Sequence, residues 1–167
     1  MSYPPARYSG DEGLSNATFR PSGAEPDLSY GLVGQVHYLA TGASTAGGFG
    51  LYAWEMGPAP SGPTPHFHKT ISESFYILSG AVRLYDGRRW MTATSGDFLY
   101  VPQGGIHAFR NDSGERASML LLFTPGAPRE DYFETLKRLG EGLVLSEEER
   151  QAFFLRHDTY WVDEQGA

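Results

Sequence analysis

The segment His66-Phe67-His68-Lys69-Thr70-Ile71-Ser72-Glu73 sets two imidazoles one residue apart and follows them with a carboxylate. In an extended strand alternate side chains leave the same face, so His66 and His68 can reach one ion. Glu73 lies five positions past His68 and is out of phase with both, so it points inward only if Lys69 to Ser72 bulges or loops. A third imidazole comes from the distant run Ile106 to Asn111, in which His107, Phe109 and Asn111 share a face. Three neutral imidazoles and one carboxylate suit a divalent first-row transition metal, and such a ligand set leaves coordination positions open to water, O2 or substrate. Metal identity stays open among Fe, Ni, Cu, Mn and Zn, because imidazole-rich sites accept all of them.

Distant histidines converge only if short strands carry them. Apolar runs at Val36–Ala40, Gly50–Met56, Ser74–Leu78, Ala81–Tyr85, Arg89–Thr94, Asp97–Val101, Ile106–Arg110 and Ala117–Phe123 read as strands separated by glycine, serine and proline turns. Asp86-Gly87 is a hairpin signal of the type I′ kind, in which both central residues take positive φ. Strands at this spacing with no helices between them predict an all-β sandwich or barrel. After Pro125 the period changes. Tyr132, Phe133, Leu136 and Leu139 fall on one helix face, with Glu130 and Asp131 at its start and Gly140 at its end. Ser146 and Glu149 form a capping box for a second helix that docks through Phe153 and Phe154. The expected organisation is an N-terminal arm over residues 1–33, a β-barrel over 34–124 and a helical extension over 125–167 that covers one barrel mouth or a subunit interface.

Composition narrows the function classes. The chain has 167 residues, 20 acidic and 13 basic, for a net charge of −7, the wrong sign for a surface that neutralises phosphates or docks on anionic lipid. Nucleic acid and membrane are therefore not expected partners. Absence of cysteine excludes disulfides, thiolate-bound zinc, iron–sulfur clusters and thiol nucleophiles. Met1 to Gly10 contains no apolar run of the kind a secretory leader needs, and the longest strongly apolar run, Met119–Phe123, is far too short for a membrane helix, so a soluble, cytoplasmic protein is expected. The formal glycosylation sequons at Asn16 and Asn111 read as chance. His37 and His157 lie outside the metal-binding runs and read as ordinary packed or surface residues.

These residues resemble the cupin superfamily. Its first motif, two histidines one apart, a glutamate and then a glycine, is met by His66, His68, Glu73 and Gly80. Its second, glycine, proline, glycine, histidine and asparagine at set spacings, is met by Gly96, Pro102, Gly104, His107 and Asn111. The interval Ala81 to Ser95 is that of compact single-domain microbial members, and the one departure is Pro60 where the pattern places its leading glycine, with Gly62 the nearest. The resemblance implies a jelly-roll barrel (a double-stranded β-helix) with one divalent metal on His66, His68, Glu73 and His107, and often a homodimer. A compact barrel followed by aromatic-rich helices is most similar to quercetin-dioxygenase-like proteins. That likeness implies an oxidoreductase, a metal-dependent dioxygenase acting with O2 on a small phenolic, flavonol-like or dicarbonyl substrate, with Glu73 as the catalytic general base. Phe75, Tyr52, Tyr100 and Phe109 are the candidate substrate-binding residues, and Trp54 shares a strand with Tyr52. Two alternatives accompany this reading: a non-oxidative metal-dependent cupin such as an aromatic polyketide cyclase or isomerase, and a cupin that binds a small ligand without turnover.

Overall fold

The computed structural model describes residues 2–162. Two antiparallel sheets form the all-β barrel expected from the strand pattern, in the double-stranded β-helix that the motif resemblance implied, with a helical extension after them. The larger sheet has the order β1 (Leu28–Ser29), β2 (Gly34–Ala40), β3 (Gly50–Met56), β10 (Ala117–Thr124), β5 (Ser72–Ser79) and β8 (Phe98–Val101). The smaller one places β6 (Ala81–Tyr85) between β7 (Trp90–Thr94) and β9 (Ala108–Arg110). All eight runs read as strands from sequence are strands here.

Strict alternation builds the interior. Along β10 Ala117, Met119, Leu121 and Phe123 are buried while the residues between them are half-buried, and opposite them β5 contributes Phe75 and Ile77 and β3 contributes Tyr52 and Met56. Val82 and Leu84 close the core from the smaller sheet. At β8, Leu99 and Val101 take the inward positions, which turns Phe98 and Tyr100 outward.

The helices α1 (Arg129–Gly140) and α2 (Glu147–Arg156) follow the periodicity seen in the sequence, and α2 starts on the expected reciprocal capping box between Ser146 and Glu149. Tyr132 and Phe133 of α1 and Phe153 and Phe154 of α2 carry the packing, and the Tyr132 and Phe153 rings stack with centroids 5.4 Å apart. Among the described residues no helix is long and apolar enough to cross a membrane.

Two local expectations are corrected. The Asp86-Gly87 turn is not a two-residue type I′ turn: Tyr85 pairs with Trp90, Gly87 alone takes positive φ, and the Asp86 carboxylate accepts from the Arg88 and Arg89 amides at 2.9 Å. An aspartate that holds its own turn by its side chain has no need of the left-handed region. Beyond the predicted strands, three two-residue ones appear; β1 pairs with β2 from within the expected N-terminal arm. β4 (His66–Phe67) and β11 (Tyr160–Trp161) pair with each other, so the end of the helical extension is laced to the strand that carries the first histidine. Two-residue strands leave no periodic signal in a sequence.

Candidate metal centre

His66 and His107 are held opposite one another by a reciprocal pair of backbone hydrogen bonds, His66 N–H to the His107 carbonyl at 3.0 Å and His107 N–H to the His66 carbonyl at 2.9 Å. Residues paired this way project side chains to the same face, and their rings lie 4.4 Å apart between centroids. The chain then leaves regular pairing over Lys69 to Ile71 before β5 begins at Ser72, the break that Glu73 needs in order to point inward. Gly104, at φ +80°, sends its N–H to the His68 carbonyl at 2.7 Å and so ties the two histidine segments together. Where the pattern expected a glycine and Pro60 stands, Gly62 does the close-approach work instead: a Cβ there would lie 2.0 Å from the Phe109 carbonyl oxygen.

One atom of each of His66, His68, Glu73 and His107 lies within 4.8 Å of the others, and all four residues are buried. Every imidazole turns Nδ1 toward a backbone carbonyl: His66 to Thr64 at 2.9 Å, His107 to Gly105 at 2.9 Å, His68 to Asp158 at 2.6 Å. A carbonyl only accepts, so Nδ1 carries the proton and Nε2 presents a lone pair. Glu73 Oε2 sits 2.9 Å from His107 Nε2 and 3.2 Å from His68 Nε2. Lone pairs therefore converge on a carboxylate with no neutral donor among them, an arrangement that only a cation satisfies. Without a metal that cation is a proton. Burial alone would raise the Glu73 carboxyl, but its contacts with His107 and His68, across which that proton is shared, hold it below the usual carboxylate range. Burial alone would lower His107, and its bond to Glu73 raises it instead. His66, pushed down to about 3 by burial and by the nearby His107, stays neutral. The donor set thus fits a divalent transition metal that displaces the shared proton.

The centre opens on a cavity of about 870 Å³ between the barrel and the helical extension. His66 and Glu73 reach its wall, which also carries aromatic rings, among them Trp54, Phe109, Phe123, Phe133 and Trp161, beside polar residues such as Thr64, Arg129 and Thr159. Trp161 of β11 also packs on the His66 ring at 5.2 Å. Of the four aromatics singled out from sequence, Phe109 lines this cavity. Phe75 and Tyr52 are wholly buried in the core, Tyr52 with its hydroxyl donated to Glu130, and neither lines the cavity. Tyr100 is 56% exposed on the outer face of β8, where the inward positions belong to Leu99 and Val101. His37 stands apart on β2, 3.7 Å from Glu55, and His157 faces Asp131 at 3.1 Å. Asn111 is fully buried, its amide donating to the Gly57 and Glu115 carbonyls, so it is a structural strut and not a glycan acceptor.

Two site residues escaped the sequence reading. Arg129 is buried and lines the cavity. Asp158, at φ +54°, offers its carbonyl to His68 Nδ1 while its carboxylate accepts from the Lys69 and Thr70 amides and from the Thr70 hydroxyl. Those donors hold the Asp158 carboxyl below its ordinary range against the opposing pull of burial, so the stability it contributes is present above about pH 4 and is lost as pH falls through the depressed value. Asp158→Ala is expected to weaken metal binding about 10- to 100-fold, read by competition with a chromogenic chelator, because it frees the loop that aims His68. Unchanged metal affinity would show that His68 keeps its aim without the clamp.

Residues 52–123 match the family model described as Cupin domain. Over 139 residues, 79% of this chain, the sequence is 27% identical to quercetin 2,3-dioxygenase of Bacillus subtilis (strain 168), covering 41% of that protein; it is 31% identical over 67 residues, 40% of this chain, to an uncharacterized protein of Aquifex aeolicus (strain VF5), covering 54% of that protein. The chain thus spans about half the length of the curated relatives it matches. Among solved structures, KdgF from a Halomonas species superposes with a TM-score of 0.58 at 15% identity, over 66% of this chain and 96% of that one. A predicted oxalate decarboxylase from Thermotoga maritima gives 0.55 at 19% identity, over 64% and 97%. At such identities the superpositions establish the fold alone.

Proposed function

From the premise that this chain carries a cupin domain, with a buried three-histidine, one-glutamate cluster that could hold a metal, we propose that it is a metal-dependent oxygenase, a dioxygenase that consumes O2 and a small phenolic, flavonol-like or dicarbonyl substrate. The observation that carries this reading is the convergence of four lone-pair ligands on the wall of an aromatic-lined cavity large enough for a flat, drug-sized molecule. The distant likeness to quercetin 2,3-dioxygenase supports the same chemistry.

His66, His68, Glu73 and His107 would hold the ion, which supplies Lewis-acid polarisation and, where redox-active, a route for electrons to O2. The protein's own share is binding, orientation and proton transfer. Trp54, Phe109 and Phe133 offer ring faces and edges that stack a planar substrate and keep water from the reacting carbon. Glu73 is the acidic side chain that both reaches the cavity wall and belongs to the cluster, so it takes the proton of a phenolic or enolic hydroxyl as the oxygen atom gains negative charge. The three Nδ1–H bonds to backbone carbonyls fix ring orientation and need no rearrangement during turnover.

The test is O2 consumption by metal-reconstituted protein against a panel of phenols, flavonols and β-dicarbonyls. Uptake in proportion to substrate loss is expected. Substrate loss under anaerobic conditions would replace the oxygenase with the Lewis-acid cyclase or isomerase reading, and no substrate loss on a fully metallated sample would leave a binding protein.

A further inference from the structure

Arg129 is a buried cation without a counter-ion. It is the first residue of α1 and 4% exposed, and its guanidinium donates from Nη1 to the His157 carbonyl at 2.9 Å and also interacts with the Tyr132 side chain. Its Nε is buried with no partner. Ring faces surround it, Tyr132 at 4.1 Å, Phe123 at 5.0 Å and Phe133 at 5.6 Å, and these soften its burial without neutralising it. The nearby acids are engaged elsewhere: Glu130 accepts from the Tyr52 hydroxyl, Asp131 faces His157 and Arg156, and Glu73 turns Oε2 to His68 and His107. None of the described carboxylates forms an ion pair with Arg129. Its position at the start of a helix adds the positive end of the helix dipole to its own charge. Burial, an unsatisfied donor and the dipole each oppose an arginine here, and a purely structural residue would be served by methionine or leucine among the same rings.

We infer that the substrate of this cavity is a carboxylate, its carboxyl group held by Arg129 and its aromatic or unsaturated skeleton lying along the ring wall toward His66 and Glu73. The inference rests on reading the cavity as the substrate site. A guanidinium presents parallel N–H donors that match a carboxylate's two oxygens, and a carboxylate supplies the counter-charge that Arg129 lacks among the aromatic rings around it. Arg150 of α2 also lines the cavity but is exposed to solvent, so the desolvated cation that calls for an anion is Arg129.

The probes are benzoate and its neutral isostere benzamide, titrated calorimetrically into metal-loaded protein and into protein stripped by chelator. Benzoate is expected to bind at least about 10-fold tighter than benzamide in both forms, because the guanidinium needs no metal to pair with it. Arg129→Met is expected to remove that preference with metal content unchanged. Equal affinities, no benzoate binding, a preference confined to the metal-loaded form, or a preference that survives in Arg129→Met would each overturn the inference. The wild-type pair decides the matter should the variant fail to fold. A benzoate preference without O2 uptake on any substrate would sink the oxygenase reading alone, whereas O2 uptake on neutral phenols without a benzoate preference would sink this one alone.

Discussion

His107→Ala is expected to purify with less than about a tenth of an equivalent of metal where the wild-type chain holds about one, the largest loss any single substitution should produce at this centre. His107 is wholly buried, and its Nε2 makes the shortest contact in the cluster, 2.9 Å to Glu73 Oε2. Alanine removes one of three imidazoles and also leaves a buried carboxylate without its nearest partner, so the empty site becomes more costly as well as less able to bind. Elemental mass spectrometry on protein purified without added metal or chelator gives the readout, with near-ultraviolet circular dichroism of the packed aromatics as the check on folding. His66→Ala is expected to behave alike, since that imidazole is neutral in the folded protein and free to ligate. His37→Ala, on β2 beside Glu55, is expected to keep its metal. Added metal should raise the melting temperature of wild type and of His37→Ala but not of His107→Ala. Equal metal content in all of these proteins would refute the site.

Histidines that carry this prediction were legible because metal ligation imposes spacing: His66 and His68 at one-residue separation and His107 in a strand-like run are constrained by the period of the backbone. The barrel strands were legible for the same reason, their alternation being the direct imprint of a two-faced sheet. Residues that complete the site obey no such period. Asp158 reaches His68 from 90 positions away through a backbone carbonyl, an atom every residue possesses, and only its left-handed conformation after a helix end hints at a special role. Arg129 obeys no motif spacing; the available clue was its sign, since a cation in the first helical turn opposes the dipole that Glu130 and Asp131 complement. Among the aromatics, Tyr52 and Phe75 were read as substrate-binding and instead are buried in the core; strand patterning cannot tell core from cavity, because both lie on the inner face of the barrel. Tyr100 illustrates the other limit. On a four-residue strand with Phe98, Leu99 and Val101 for neighbours, every position is apolar and the alternation gives no preference for either face.

Glu73→Gln is expected to lower kcat at least about 100-fold on any substrate that loses a proton at a hydroxyl, the range over which a positioned general base contributes. Glutamine keeps the length and shape of the side chain but has no basicity at neutral pH, and it replaces one carboxylate oxygen by a donor that can satisfy the lone pair of His68 or of His107, not both. The variant therefore separates the two duties the glutamate is given. If proton transfer is its main work, Glu73→Gln retains much of its metal through His66, His68 and His107 while turnover collapses, and kcat falls with little change in KM. If it is only a ligand, metal content and turnover fall together and restoring metal restores rate. A pH profile gives an independent reading. In the metal-free protein Glu73 is ionised well below the usual range and His107 holds its proton above the ordinary imidazole value. The stability contributed by the lowered carboxyl is present above about pH 4.5 and lost as pH falls through its depressed value; that contributed by the raised imidazole is full below about pH 6.5 and lost as pH rises through its elevated value. Both hold together in mildly acidic solution, so metal-free wild type is expected to lose stability on either side of that window while Glu73→Gln, lacking the pair, shows neither loss from it. Urea unfolding of chelator-stripped proteins between about pH 3 and pH 9 measures this, and parallel profiles for the two proteins would show that the Glu73–His107 contact carries no proton of consequence.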